Sequence, residues 1–223
     1  MVTYTPDASG FRTKARPSRV DVLRRQGYLL AKRGFDLVFS TVVLLPAMLV
    51  VATLLLVLNP IYNPGPLFFR QIRMGRGCKP FWAFKFRTMR VAKNSAKQCR
   101  PIDAPVEKDR ITAIGNFLRR SRFDELPQII NVYRGDMSLI GPRPDYYVHA
   151  HRFMRTIPDY RDRHTVRPGI SGLAQIELGY AEGYAATRLK TASDIEYIRK
   201  ASFKLDTWIL WQTIRTVVGM HGE

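Results

Sequence analysis

The chain has 223 residues and a mass of 25.7 kDa, which allows one ordinary domain, or a small domain with a membrane anchor, and excludes two large catalytic domains. Its 36 Lys and Arg residues outnumber 18 Asp and Glu residues, and the net charge of +18 favours anionic partners such as nucleic acid, anionic lipid or a phosphorylated substrate. Two cysteines exclude a disulfide framework and a four-cysteine zinc site.

An uncharged segment runs from Leu37 to Leu58. About 20 apolar residues are enough to cross a bilayer, so this segment predicts a membrane helix. Pro46 lies near its middle and removes a backbone hydrogen bond, so we expect a break there. Basic residues flank both ends, and the positive-inside rule places both flanks in the cytoplasm. A re-entrant helix that enters the membrane and returns satisfies this rule, and a kinked single-pass helix is the alternative.

The chain divides into three parts. Residues 1–33 form a basic N-terminal segment with an interfacial helix, residues 34–60 form the re-entrant membrane helix, and residues 61–223 form a cytosolic catalytic domain on the membrane surface. The expected fold class is α+β, mostly helical, with a small β-hairpin around Gly75-Arg76-Gly77. Loops are predicted at residues 91–108 and 168–172, and helices at residues 111–122, 126–133, 145–157 and 193–218.

Two adjacent carboxylates, Asp124 and Glu125, are the first candidates for chemistry. Such a pair at a helix start can bind a divalent cation, and one carboxylate can act as a nucleophile. The same two residues could instead cap the helix and open its first turn, as acidic residues often do. The sequence around them leaves both readings open.

Basic residues form the second candidate set. Arg143 lies between Pro142 and Pro144, which fix the backbone around it and suit its planar side chain to a phosphate, although a rigid turn with a solvated Arg has the same pattern. The sequence contains neither a Walker loop nor a Gly-x-Gly-x-x-Gly motif. Further basic residues, which could also form a solvated surface, are Lys85, Arg87, Arg119, Arg120, Arg122 and Arg167.

Six motifs in order resemble the bacterial sugar transferase family, the monotopic phosphoglycosyl transferases. They are residues 32–36 (KRGFD), 65–71 (GPLFFRQ), 84–89 (FKFRTM), 124–128 (DELPQ), 135–144 (GDMSLIGPRP) and 167–175 (RPGISGLAQ). The resemblance covers about residues 31–219, and the chain looks like the minimal catalytic core of the family. The family often has Ser-Pro at the helix break, where this chain has Leu45-Pro46.

The resemblance implies an enzyme that moves a sugar phosphate from a UDP-sugar to polyprenyl (undecaprenyl) phosphate and releases UMP. This is the first membrane step of exopolysaccharide, O-antigen or glycan assembly. The implied mechanism is ping-pong through a covalent phosphosugar on Asp124. Glu125 is its implied partner, assisting either Mg²⁺ binding or activation of the acceptor phosphate, and the implied metal ligands are Asp124 and Glu125. The implied phosphate-binding residues are Arg143, Lys85, Arg87, Arg122 and Arg167.

The resemblance also implies a location and partners. We expect the bacterial inner (cytoplasmic) membrane, with the catalytic domain on the cytoplasmic face. The expected partners are the UDP-sugar, the polyprenyl phosphate, membrane lipid and, by family habit, a second copy in a homodimer. A catalytically silent module on the membrane surface is the main alternative. Nucleic-acid binding is not expected, because the sequence contains no motif for it.

Overall fold

The computed structural model describes residues 19–90, 107–179 and 183–219, with side chains from residue 26 onward. Eight α-helices are described: α1 (Arg19–Phe39), α2 (Leu45–Tyr62), α3 (Ala113–Arg120), α4 (Ile129–Arg134), α5 (Tyr147–Thr156), α6 (Leu173–Leu178), α7 (Tyr184–Lys200) and α8 (Phe203–Val218). Four strands are described: β1 (Phe68–Met74), β2 (Pro80–Phe86), β3 (Ser138–Ile140) and β4 (Gly169–Ser171). This architecture confirms the mostly helical α+β fold class.

The apolar segment forms one continuous helical stretch. α1 runs through the predicted boundary at residue 33, a π-helical turn covers Ser40–Leu44, and α2 follows without a gap. The amide of Leu45 donates to the carbonyl of Ser40, five residues back, so the turn accommodates one extra residue without ending the helix. Backbone angles stay right-handed at Leu44 and Leu45. The break expected at Pro46 is therefore not seen as an end of the helix; a π-helical turn lies directly upstream of the proline instead.

The helical stretch Gln26–Tyr62 is, among the described residues, the one that is long and apolar enough to cross a membrane. One face of it is buried at Leu55, which packs with Phe86 and Leu118. The opposite face exposes more than half of large apolar side chains such as Val42 and Val57. An exposed apolar face of this length fits a membrane anchor, because lipid can cover what water would not.

Both ends of this helical stretch are attached to the same globular part. At the first end, the Tyr28 hydroxyl and the Lys32 ammonium each donate to Asp206 of α8 over 2.8 Å. At the second end, the Asn63 side chain donates to the carbonyl of Arg87 over 3.0 Å. The helix therefore begins and ends against the domain that carries the candidate site.

The predicted β-hairpin is confirmed. β1 and β2 pair antiparallel, with Phe69 opposite Lys85 and Arg73 opposite Phe81. Since side chains alternate between the two faces of a strand, Arg73 and Lys85 lie on the same face of the hairpin. Gly77 takes a positive φ of 66° in the connection, a conformation that glycine adopts at little cost.

The loop predicted at residues 168–172 is wrong in part, because Gly169–Ser171 forms a short strand parallel to β3. Three residues are too few for a recognisable strand pattern in the sequence. The approach of the two segments is close: a Cβ atom on Gly169 would lie 2.1 Å from the amide nitrogen of Gly141. Glycine is therefore needed where this strand passes the segment that leads to Arg143.

The predicted helices occur at nearly the expected places. α3 and α5 lie inside the predicted ranges, and the last region forms two helices, of which α7 begins earlier than expected at Tyr184. The helix predicted at residues 126–133 is α-helical only from Ile129, because a 3₁₀ turn covers Phe123–Gln128. The loop predicted at residues 91–108 lies, except for its last two residues, outside the described residues.

Candidate active site

The two carboxylates lie in the 3₁₀ turn Phe123–Gln128, between α3 and α4. Arg122 precedes them with a φ of 57°, in the left-handed region, and so redirects the chain between the two helices. Asp124 and Glu125 are both buried, which is costly for charged groups unless they are paired. No side-chain capping bond occurs at the start of this turn or of α4, so the capping interpretation is not supported.

Cations from two other elements meet the carboxylates. Lys85, near the end of β2, lies 2.5 Å from Oε1 of Glu125 and 3.5 Å from Oδ2 of Asp124. The Arg143 guanidinium binds both oxygens of Glu125, with its Nη1 3.0 Å from Oε2 and its Nη2 bonded to Oε1. Such a two-point ion pair is geometrically specific. The structure therefore brings four of the predicted residues, Asp124, Glu125, Lys85 and Arg143, into one cluster.

The two carboxylates differ in their affinity for a proton. Burial raises the pKa of Asp124, and the nearby charge of Lys85 offsets this only in part, while the charge of Glu125 raises it further. Burial also acts to raise the pKa of Glu125, but Arg143 and Lys85 outweigh it and hold that pKa well below its usual range. Glu125 is therefore ionised and ion-paired. Asp124 has the higher affinity for a proton and fewer contacts with cations.

Two further cations that the sequence did not rank highly lie beside the cluster. Arg119 of α3 donates to the Thr88 hydroxyl over 3.1 Å, and its charge acts to lower the pKa of Asp124. Arg73 of β1 donates to the carbonyl of Pro144 over 3.0 Å and lines a pocket with Lys85 and Arg143. The register of the hairpin places Arg73 on the same face as Lys85, but nothing in the sequence distinguished it from the other basic residues.

A buried ion cluster holds the Arg143 segment in place. Arg163 donates from its Nη2 to the carbonyl of Arg143 over 2.8 Å, and its Nη1 bonds the carboxylate of Asp145. The same guanidinium lies 2.6 Å from Oδ2 of Asp194 in α7. Tyr160 also donates to Asp145, over 2.6 Å. These contacts fix the backbone on either side of Pro144 and so fix the direction of the Arg143 side chain.

The other predicted phosphate-binding residues lie elsewhere. Arg87 is buried and donates to the carbonyls of Pro66 and Asn63, so it holds the chain that follows α2. Arg167 donates to the carbonyl of Gly135 over 2.9 Å. Arg122 provides the backbone bend before the dyad. The contacts of Arg87 and Arg167 are those of residues that position the backbone.

No group of three or more His, Cys, Asp or Glu side chains that could hold a metal ion occurs within the described residues. The dyad still fits Mg²⁺, which is often held by one or two carboxylates while substrate phosphates and water complete its six positions. Glu125 has both oxygens committed to cations, whereas Lys85 reaches only Oδ2 of Asp124. Asp124 is therefore the better placed of the two as a ligand.

Comparison with known proteins decides the family. The description "Bacterial sugar transferase" matches residues 27–220, nearly the whole chain. The chain belongs to the bacterial sugar transferase family. All residues of the site described above lie inside the matched range, and so does the apolar helix from residue 27 onward.

Curated relatives of this sugar transferase carry related names. The chain is 42% identical over 198 residues to the UDP-N-acetylgalactosamine-undecaprenyl-phosphate N-acetylgalactosaminephosphotransferase of Aeromonas hydrophila, covering 87% of this chain and 45% of the relative. It is 39% identical over 188 residues to the UDP-glucose:undecaprenyl-phosphate glucose-1-phosphate transferase of Escherichia coli strain K12, covering 83% and 39%. It is 38% identical over 199 residues to the exopolysaccharide production protein PSS of Rhizobium leguminosarum, covering 83% and 94%. The chain thus spans less than half of the first two relatives.

Proposed function

We propose that this sugar transferase moves a sugar phosphate from a UDP-sugar to undecaprenyl phosphate and releases UMP. The observation that carries the proposal is the cluster of two buried carboxylates with bound cations, within a family match that covers residues 27–220. A diphosphate donor and a phosphate acceptor are both anions. A site that brings them together needs an excess of positive charge, and Arg73 and Arg119 supply it beside a cluster whose own charges balance.

Asp124 acts as the nucleophile in the first half-reaction. One of its carboxylate oxygens attacks the phosphorus that bears the sugar, an O–P bond forms, and the bond to the UMP oxygen breaks, with the electron pair leaving on UMP. Asp124 suits this role better than Glu125, because the lone pairs of Glu125 are bound by Arg143 and Lys85. In the second half-reaction, an oxygen of the lipid phosphate attacks the same phosphorus and releases the Asp124 carboxylate.

Glu125 acts through the cations that it holds. Its two ion pairs place Arg143 and Lys85 where negative charge develops on the transferred phosphoryl group. A Mg²⁺ ion held by the dyad, chiefly through Asp124, would supply additional positive charge at the phosphates. Burial of the dyad keeps bulk water from the phosphosugar on Asp124, which would otherwise be hydrolysed.

The test is UMP release by the detergent-purified chain with Mg²⁺, undecaprenyl phosphate and a panel of UDP-sugars. We expect release with at least one donor and its loss by about a thousandfold or more in Asp124→Asn, which keeps the size of the side chain but not its charge. The exposed Asp109→Asn is the matched control and should retain wild-type activity. Release by Asp124→Asn at the wild-type rate would contradict the assignment, and no release with any donor would favour the silent membrane module.

For topology, we propose that the apolar helix enters the inner membrane and returns to the cytoplasmic face. Support comes from its two ends, which are held by Asp206 and by the chain around Arg87 in the same domain. A straight single-pass helix would place these ends on opposite sides of a bilayer.

Cysteine labelling tests this topology. In a variant with both natural cysteines replaced by serine, Val20→Cys and Tyr62→Cys are each exposed to a membrane-impermeant maleimide in intact cells and in inverted vesicles. We expect both positions to react only in inverted vesicles, where the cytoplasmic face is accessible. Labelling of either position in intact cells would establish the single-pass alternative.

A further inference from the structure

Unlike Lys85 and Arg143, Arg73 forms no ion pair with an acidic side chain of the described residues, although the charges of Asp145 and Glu125 act on its pKa. Its one hydrogen bond within the described part of the chain goes to the carbonyl of Pro144, over 3.0 Å. Lys85 and Arg143, in contrast, both contact Glu125. Arg73 is half-buried, and burial together with the charge of Arg143 lowers its pKa to about 10. The Arg73 guanidinium is therefore a desolvated, charged group, and its hydrogen bond to Pro144 uses only one of its N–H donors.

The surroundings of Arg73 form a small pocket beside the dyad, with a volume of about 10 Å³, so an anion larger than water would bind at its open mouth. The residues that line it are Arg73, Ala83, Lys85, Gln128, Arg143 and Pro144. Three of the six are cations, while the negative charges closest to Lys85 and Arg143 are the two dyad carboxylates. With Arg119 included, four cations lie around the two dyad carboxylates, and the third acidic group that acts on Arg73, Asp145, is ion-paired with Arg163. The excess positive charge predicts an anionic occupant, and the planar Arg73 side chain suits a phosphate.

The backbone holds Arg73 at this position independently of any ligand. The amide of Met74 donates to the carbonyl of Asp145 over 3.1 Å, and Arg73 forms an isolated antiparallel bridge with Tyr146. These contacts connect the end of β1 to the segment that follows Arg143. The main-chain segments that carry Arg73 and Arg143 are thus fixed relative to each other, which favours a binding site for a diphosphate.

The location of the pocket favours a water-soluble ligand over a lipid ligand. The residues that line it come from the hairpin, the dyad turn and the Arg143 segment, and none of them belongs to α1 or α2. α2 instead contacts the dyad turn through the apolar cluster that contains Leu55, Leu126 and Phe86. A lipid phosphate would arrive along the apolar helix, so the Arg73 pocket is better suited to the water-soluble nucleotide.

We propose that Arg73 is a substrate-binding residue that holds the nucleotide-side phosphate of the UDP-sugar, the phosphate that leaves with UMP. This assignment rests on the proposed function. It divides the cations of the site between two phosphates. Lys85 and Arg143, attached to Glu125, face the phosphoryl group that is transferred, whereas Arg73 holds the phosphate that departs.

The test compares Arg73→Gln with Arg70→Gln. Gln removes the charge at residue 73 but can still donate to the Pro144 carbonyl. Arg70 is an exposed residue of the same strand whose guanidinium lies 4.7 Å from the centre of the Trp82 ring, so its variant is a matched control. Three quantities are measured: the KM for the UDP-sugar, the KM for undecaprenyl phosphate, and the inhibition constant of UMP. Arg73→Lys, which keeps the charge but not the planar fork, is measured alongside.

In Arg73→Gln we expect the UDP-sugar KM and the UMP inhibition constant to rise about tenfold to hundredfold, the range for losing a charge-assisted hydrogen bond. The KM for the acceptor and the melting temperature of Arg73→Gln should stay near the wild-type values. The UDP-sugar KM and UMP inhibition constant of Arg73→Lys should lie between those of the wild type and Arg73→Gln, and Arg70→Gln should match the wild type.

If the wild type releases UMP and the constants of Arg73→Gln match those of Arg70→Gln, the assignment is overturned while the proposed function stands. A rise in the acceptor KM alone would also overturn it. If the wild type releases no UMP, the proposed function fails and the assignment fails with it.

Discussion

Two clusters of buried charge in this protein contain the same kinds of side chain in opposite proportions. The dyad cluster, together with the adjacent Arg73 and Arg119, sets Asp124 and Glu125 against four cations, whereas the second cluster sets Asp145 and Asp194 against Arg163. Arg163 and Asp194 are almost completely buried and Asp145 is 28% exposed, while the cations Lys85 and Arg143 of the dyad cluster are 22% and 25% exposed.

The difference separates a cluster that can bind a ligand from one that holds the fold. An accessible cluster with surplus positive charge can bind an anion from solution. The second cluster has one ion-paired cation, Arg163, whose bonds go to Asp145, Asp194 and the Arg143 carbonyl, and Tyr160 adds a hydrogen bond to Asp145, so it has no surplus positive charge to offer a ligand. The second cluster nevertheless serves the first, because it fixes the segment from which Arg143 projects.

Breaking the second cluster should have the largest effect on stability. Arg163→Ala leaves the buried Asp194 without its ion-pair partner, and removal of one partner of a buried ion pair costs about 3–5 kcal/mol. Chemical denaturation should show a loss of this size in the free energy of unfolding. Arg161→Ala, two residues away and exposed, is the control and should change it little. Equal unfolding free energies for the two variants would show that the second cluster does not stabilise the fold.

Breaking the dyad cluster should instead affect the rate. Arg143→Gln removes a cation that faces the transferred phosphoryl group in the proposed mechanism, and loss of one such donor typically costs about a hundredfold to a thousandfold in kcat. The unfolding free energy should fall by less than in Arg163→Ala, because Lys85 still neutralises Glu125. UMP release and chemical denaturation measure the two effects. A variant with wild-type kcat but a large loss of stability would reverse the roles that we give to the two clusters.

A smaller effect is expected on the pH dependence of the first half-reaction. Asp124 must be ionised to attack, and burial together with Glu125 raises its pKa, so UMP release should decline on acidification at a higher pH than an ordinary aspartate would give. Glu125→Gln removes the like charge and frees Lys85 and Arg143 to act on Asp124. Both changes lower the pKa of Asp124, so the acidic decline should move to lower pH even though the rate falls. A shift to higher pH would contradict this coupling.

The sequence predicted the local elements and most of the site, for identifiable reasons. The charge-free segment and the hairpin are strong local patterns, and the DELPQ and GPRP motifs identified Asp124, Glu125 and Arg143 directly. It could not predict the β3–β4 pairing, since that contact joins three-residue segments about 30 residues apart. Nor could it separate Lys85, which reaches the dyad, from Arg87, which is two residues on and binds backbone carbonyls.

Arg73 and Arg163 also could not be identified from the sequence. Neither stands out among 36 basic residues, and each gains its meaning from tertiary contacts with the Arg143 segment. The π-helical turn before Pro46 is a further example. The proline indicates where the helix must be irregular, but the choice between a break and an inserted residue depends on how α1 and α2 pack on the domain.

The central claim is that Asp124 carries the sugar phosphate between the two substrates. The most direct measurement is to incubate the purified chain with Mg²⁺ and its UDP-sugar, without a lipid acceptor, and to locate the added mass by peptide mass spectrometry after rapid acid quench. We predict one phosphosugar per chain on Asp124, formed together with one equivalent of UMP and lost when undecaprenyl phosphate is added. An adduct on Glu125, or UMP release only when the acceptor is present, would contradict the account.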